Sequence, residues 1–231
     1  MIKQLVVFGD SWTFGDELLD PALKKETDVA DSTNDEYRMS HCWGGIVARD
    51  LGLTFVNFGF NGASLQSMIW TATWWAENHN VDESLVLVSL TQPARTSWYL
   101  ADNKSRVPEW NVHVHATWNS EKIWQNNEDP WRTMYKTHYT HSHCSELSTR
   151  NRQQSVIFFD GFANRYNIPV FQFDCYQDQT LFYSQNHMCP GENAQEWASP
   201  HYAIRNHPTE QGHIQIAKKL TSWIDSVKIT K

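Results

Sequence analysis

The stretch ESLVLVSL at residues 83–90 is apolar at almost every position. A strand with one face in water alternates apolar and polar side chains, whereas a strand covered on both faces has no such need. The run therefore predicts a central strand of a parallel sheet, with helices on both sides. QLVVF at 4–8, LTFVNFG at 53–59 and IPVFQFDC at 168–175 read as its neighbours. Segments of helical period lie between them. Residues 42–52 place Trp43, Ile46, Val47 and Leu51 on one side and offer Gly52 as a stop. Residues 63–79 form a second such segment, with Ser64 near its cap, and 145–167 a third. Residues 207–227 align Ile214, Ala217, Leu220, Ile224 and Val227, with Pro208 in the first turn. Strands alternating with helices in this way imply a three-layer α/β/α sandwich with a mostly parallel central sheet.

Two stretches break the rhythm. Residues 16–40 are polar and acidic and read as a surface excursion with a short helix at 20–25. Residues 98–145 hold Trp98, Trp110, Trp118, Trp124 and Trp131 without a sustained period. They are expected to form an aromatic-rich insertion, a lid or an interface, because long irregular segments in compact proteins are often functional. No linker divides the chain, so a single domain over residues 1–231 is expected.

Charge and composition narrow the function. The formal net charge is −7, and no basic stripe appears, which argues against a nucleic-acid partner. No apolar run approaches the length of a membrane helix, and no signal segment precedes the first strand. A cytoplasmic or particle-associated protein is expected. The four cysteines form no CxxC unit and are expected to be reduced. His138, His141, His143 and Cys144 cluster, with His113 and His115 upstream, but their spacing matches no zinc signature, so no metal is predicted. Neither GxxxxGK nor GxGxxG occurs, so no nucleotide loop is predicted. Aromatic residues reach 13%, with 12 Trp, a supply that suits stacking on a sugar as well as filling a core.

The chemistry sits at the strand ends. GDSWTFG follows the first strand, GFNGAS the second and TQPAR the third. A parallel sheet binds ligands outside the carboxyl ends of its strands. Ser11, Gly59 to Gly62, and Thr91 to Arg95 are therefore expected to converge, and HPTEQGH can bring His207 to the same edge. Asp10 reads as an acceptor for loop N–H groups, and His213 as a residue that holds a loop by a hydrogen bond.

FGDSWTFG resembles the first block of the SGNH, or GDSL, hydrolases, NFGFNGAS their second, and HPTEQGHIQIA their last. The resemblance spans residues 5 to 220 but leaves the middle of the chain unmatched. It implies Ser11 as nucleophile, His207 as catalytic base, and the N–H groups of Ser11 and Gly62 as oxyanion donors. The family's third block is GxND. Here SLTQPAR stands in its place, which leaves Gln92 as the matching amide and Thr91 or Arg95 as alternatives. The aspartate that usually precedes the catalytic histidine is also absent, since Ile204 and Arg205 occupy those positions. Asp174, at the end of the fourth strand, is the expected substitute. Asn206 or a backbone carbonyl are alternatives, and some members of the family are described as working with a Ser–His dyad. Trp12, Asn61 and Arg95 are expected to contact substrate. The resemblance implies hydrolysis of an ester without a cofactor, and the aromatic insertion points to an acetylated glycan. A non-catalytic carbohydrate-binding or particle-assembly module on the same frame is the alternative.

Overall fold

The computed structural model describes residues 1–24, 26–93, 95–99, 112–115, 145–176, 182–184, 186–188, 190–203 and 206–227. The strands of the main sheet are β1 (Gln4–Gly9), β2 (Thr54–Gly59), β3 (Ser84–Leu90) and β6 (Val170–Asp174). They pair in the order β2-β1-β3-β6, and every pairing is parallel. The ladder sets Gly9 beside Gly59, Phe8 beside Val88, and Leu90 beside Asp174. The carboxyl ends of all four strands therefore share one edge. A separate antiparallel pair joins β4 (Thr96–Tyr99) to β5 (Val112–His115). The rest of the expected insertion, with its tryptophans and the His138–Cys144 cluster, lies outside the described residues.

The two-residue period of the strands divides the core between the faces. Leu5, Val7, Leu85, Leu87, Phe171 and Phe173 point to one side. There they meet α3 (Trp43–Leu51), α6 (Ala194–Ala198) and α7 (Glu210–Ser226). Val6, Phe8, Val86, Val88 and Val170 point to the other, against α4 (Leu65–Asn78) and α5 (Ser145–Tyr166). Burial on both faces explains why β3 shows no alternation. All seven of its residues are buried. The three-layer α/β/α sandwich expected from the sequence is the fold observed. Ser64 caps α4 in a reciprocal capping box with Ser67, an arrangement that contributes about 0.5–2 kcal/mol.

The excursion after β1 differs from expectation. Residues 21–23 form turns rather than a helix. Helix instead appears as α1 (Ser11–Phe14), a 3-10 turn at Ser32–Asn34, and α2 (Asp35–His41). α2 lacks a long apolar stripe and is fastened by polar contacts. The Arg38 guanidinium donates to the Phe14 carbonyl at 2.8 Å and stacks 3.8 Å over the Phe14 ring. Tyr37 donates to Glu210 at 3.0 Å and so ties α2 to the start of α7. Burial, followed by that carboxylate, pushes the Tyr37 phenol up to about 12. α6 is a second helix the sequence pattern did not show. It is capped by the Asn193 side chain.

Among the described residues no helix is long and apolar enough to cross a membrane. Cys42 and Cys175 are buried free thiols, while Cys144 and Cys189 lie outside the described residues.

Candidate active site

Asp10 and Ser11 stand at the turn from β1 into α1. Asp10 is fully buried. Its Oδ1 accepts the Trp12 N–H at 3.0 Å and thereby caps α1. Its Oδ2 accepts from the Thr91 hydroxyl at 2.7 Å, Arg95 Nη1 at 2.8 Å and the Tyr176 hydroxyl at 3.1 Å. One carboxylate thus fastens the ends of β1, β3 and β6 together, well beyond the loop N–H role expected of it. Burial disfavours charge on Arg95, but Asp10, Tyr176 and Cys175 together outweigh it and hold the guanidinium protonated. Burial, aided by Asp10, pushes the Tyr176 phenol and the Cys175 thiol upward, so both stay neutral.

Gly15 ends α1 with φ +85°, a conformation that glycine adopts without the usual steric cost. This explains the second glycine of GDSWTFG. α1 also lies tightly on the end of β2: a Cβ on Gly59 would stand 2.6 Å from the Phe14 nitrogen. Asn57 adds a hydrogen bond to the Thr13 carbonyl at 2.9 Å.

His207 precedes α7, which is capped by Thr209. Its Nε2 lies 2.9 Å from Ser11 Oγ, although 196 positions separate the two residues. Ser11 is 6% exposed. His207 is partly exposed, so solvent reaches the pair from one side. Two carboxylates face the same ring. Glu17 Oε2 lies 3.5 Å from Nδ1, and Asp16 Oδ2 lies 3.6 Å from Nε2. Glu17 holds φ +68°, a left-handed conformation that costs a non-glycine residue of order 1 kcal/mol or more. The surrounding loop holds it there. Buried Asn34 donates to the carbonyls of Leu18 and Val29 at 2.8 and 2.9 Å and accepts from the Asp20 N–H at 2.9 Å. Asn206 is likewise left-handed, at φ +62°.

His213 is buried in the first turn of α7 and accepts the Trp43 N–H through Nδ1 at 3.2 Å. It ties α7 to α3, a structural hydrogen bond of the kind expected. Burial, with a smaller contribution from His207, lowers its pKa to about 3. His213 is therefore neutral across the physiological range.

Two expected site residues, Asp174 and Trp12, lie elsewhere. Asp174 is not beside His207. Its carboxylate accepts two hydrogen bonds from Arg152 Nη2, at 2.8 and 3.0 Å, and faces His187 Nε2 at 3.4 Å. β6 ends next to β3, on the far side of β1 and β2, so this acid serves a buried cluster with α5. Trp12 is 3% exposed and packs its ring on Tyr176 and Tyr202 in the core. Asn61 is exposed, and Gln92 is half-buried beyond β3. Gly62 adopts φ +77° in the turn after β2. Because Gly9 and Gly59 are register partners, Ser11 and Gly62 follow adjacent strand ends. The backbone N–H of neither residue is hydrogen-bonded among the described residues. Ile204 and Arg205, where the resemblance places an aspartate, are outside the described residues. Asp16 and Glu17 were missed because the polar run after Gly15 reads as surface. Two acids directly after the glycine that ends α1 were the available signal. Among the described residues no group of three or more His, Cys, Asp or Glu side chains is arranged to hold a metal.

No family model matches the sequence, and no curated protein does. Solved structures do resemble the fold. One is a carbohydrate esterase whose active site is described as displaying divergent catalytic and non-catalytic binding functions. It is 11% identical, with 98% of this chain and 66% of that one aligned and a TM-score of 0.55. Another is a member of the lipolytic protein G-D-S-L family from Veillonella parvula DSM 2008, 17% identical over 95% of this chain and 97% of that one, with a TM-score of 0.38. A third is a carbohydrate esterase family 2 enzyme with a carbohydrate-binding domain from Corynascus thermopiles (Myceliophthora fergusii), 12% identical over 97% and 66%, with a TM-score of 0.49. At these identities the likeness is one of fold.

Proposed function

We propose that this chain is a serine hydrolase that cleaves an ester by acyl transfer, with an acetylated carbohydrate as the substrate class. The observation that carries this reading is the 2.9 Å separation of His207 Nε2 from Ser11 Oγ. A serine alcohol is a weak nucleophile until a base within hydrogen-bond reach accepts its proton. His207 takes that proton as Ser11 Oγ attacks the acyl carbon, then delivers it to the leaving alcohol. Water enters and attacks the acyl carbon as His207 takes its proton, and His207 returns that proton to Ser11 Oγ as the acyl-serine bond breaks. Glu17, facing Nδ1, orients the ring and offsets the charge of the imidazolium. The Ser11 and Gly62 N–H groups, with the Gln92 amide, receive the oxyanion. The carbohydrate part draws on the tryptophan-rich composition and on the fold shared with a carbohydrate esterase.

A second reading is a non-catalytic carbohydrate-binding module, or a particle-assembly module, on this frame. It draws on the same neighbour, whose description names non-catalytic binding as well. Hydrolysis of p-nitrophenyl acetate separates the two. The parent protein is expected to turn it over, and a folded Ser11→Ala variant is expected to lose at least 99% of that activity, in line with the loss of a nucleophile. Silence of both proteins, or equal activity in both, would reject the hydrolase reading.

A further inference from the structure

A cavity of about 350 Å³ opens between α4 and α5 at the carboxyl edge of the sheet. Gln66, Ile69 and Trp70 line it from α4, Asn151 and Gln154 from α5, and Arg95 from the loop after β3. Arg95 connects the cavity to the candidate active site. Its Nη1 contacts Asp10, the residue before Ser11, at 2.8 Å and the carbonyl of Ala63, the residue after Gly62, at 3.3 Å.

The lining sets the chemistry of an occupant. Arg95 is 5% exposed, and its Nε is a buried donor with no hydrogen-bond partner among the described residues. The guanidinium charge is already balanced by Asp10, and Arg95 is the sole charged residue in the lining among the described residues. No carboxylate is present there to attract a cation. The side-chain amides of Gln66, Asn151 and Gln154 both donate and accept, as hydroxyl groups do. Ile69 and the Trp70 indole supply apolar wall. A small concave site with apolar walls and a few directed polar groups suits a small neutral ligand.

We propose that this cavity binds an uncharged sugar ring of the substrate, next to the ester that Ser11 attacks. The inference rests on the hydrolase reading for its substrate, but it can be tested without turnover. Ser11→Ala protein is titrated by calorimetry with three probes: methyl 6-O-acetylglucoside, cyclohexyl acetate, and an O-acetylated glucuronic acid. The neutral sugar acetate is expected to bind at least tenfold tighter than either of the others. Adding Gln154→Trp, which fills the cavity from an exposed position on α5, is expected to weaken the sugar acetate at least tenfold while the thermal midpoint holds. If that variant fails to fold, Gln66→Leu is used and at least a threefold loss is expected. Equal binding of sugar and cyclohexyl acetates, tighter binding of the uronate, or unchanged affinity in the folded cavity variant would each overturn the proposal. If the parent hydrolyses p-nitrophenyl acetate but no sugar acetate binds, the cavity assignment fails and the hydrolase reading stands. If the sugar acetate binds as expected but no ester is turned over, the cavity assignment stands and the hydrolase reading fails.

Discussion

Glu17 Oε2 stands 3.5 Å from Nδ1 of His207, on the side of the ring opposite the atom that faces Ser11. The acid that a Ser–His pair employs is thus available from the serine's own loop. Glu17→Gln keeps the shape and removes the charge. Turnover of p-nitrophenyl acetate is expected to fall about 10²-fold, within the range assigned to a positioned acid–base group. Among the described residues the groups facing His207 are Ser11, Asp16, Glu17 and, within α7, His213. Glu17→Asp is expected to restore part of the rate. Full activity in Glu17→Gln would mean that His207 works without this acid.

Asp174 belongs to a different assembly. Its partners Arg152 and His187 are buried with it. Asp174→Asn leaves the Arg152 charge without its buried partner, and the expected loss of stability is about 3–5 kcal/mol. Urea denaturation measures it. The fraction that remains folded is expected to hydrolyse p-nitrophenyl acetate within about threefold of the parent rate. A hundredfold loss in folded protein would return Asp174 to the catalytic set.

Asp10→Asn tests the junction of the strand ends. The substitution keeps an acceptor for the Trp12 N–H but leaves Arg95 buried without its counter-charge. A destabilisation of about 3–5 kcal/mol is expected by chemical denaturation. Replacing Arg95 as well, with Met, should recover part of it, because the orphaned charge is then gone. A double-mutant cycle with no coupling would dissolve the proposed link.

His213 makes stability depend on acid. Its folded pKa, about 3, lies below the ordinary value of 6.5. Above pH 6.5 the ring is neutral in both states and contributes no pH dependence. Below it the unfolded chain takes up a proton that the folded chain refuses, so stability falls as pH drops from 6.5 toward 3. By pH 5 the loss from this group is about 2 kcal/mol. His213→Asn retains an acceptor for the Trp43 N–H and is expected to flatten this limb. Parallel stability–pH curves for the two proteins would contradict that.

The legible part of the fold was the part with a strong period. β3 announced itself by being apolar throughout, and α7 by its stripe from Ile214 to Ile224. Gly52 and Ser64 were legible as punctuation, since a left-handed stop and a capping hydroxyl are local requirements. α2 was illegible because Tyr37 and Arg38 hold it by contacts with Glu210 and Phe14, far away or outside its own pattern. The serine and histidine of the candidate site were readable from their strand-end and helix-start motifs. Glu17 was not, since its role depends on a backbone turn at φ +68° that no local composition encodes. Asp174 attracted notice for its position at a strand end. Its neighbour Arg152 lies on a helix whose contacts only the folded chain reveals.

Ser11 and both carboxylates that face His207 fall within residues 11–17. The far end of the chain has to deliver a single imidazole. On the proposed hydrolase reading, this relieves the segment before His207 of carrying an acid at a fixed offset from it. That segment is held instead by its backbone, through the Ala203 N–H on the His207 carbonyl at 2.8 Å and the bridge of Tyr202 to Pro208. A lineage that draws its acid from the N-terminal loop can let the terminal block drift. Its history would then be easier to follow in the first seventeen residues than in the last twenty-five.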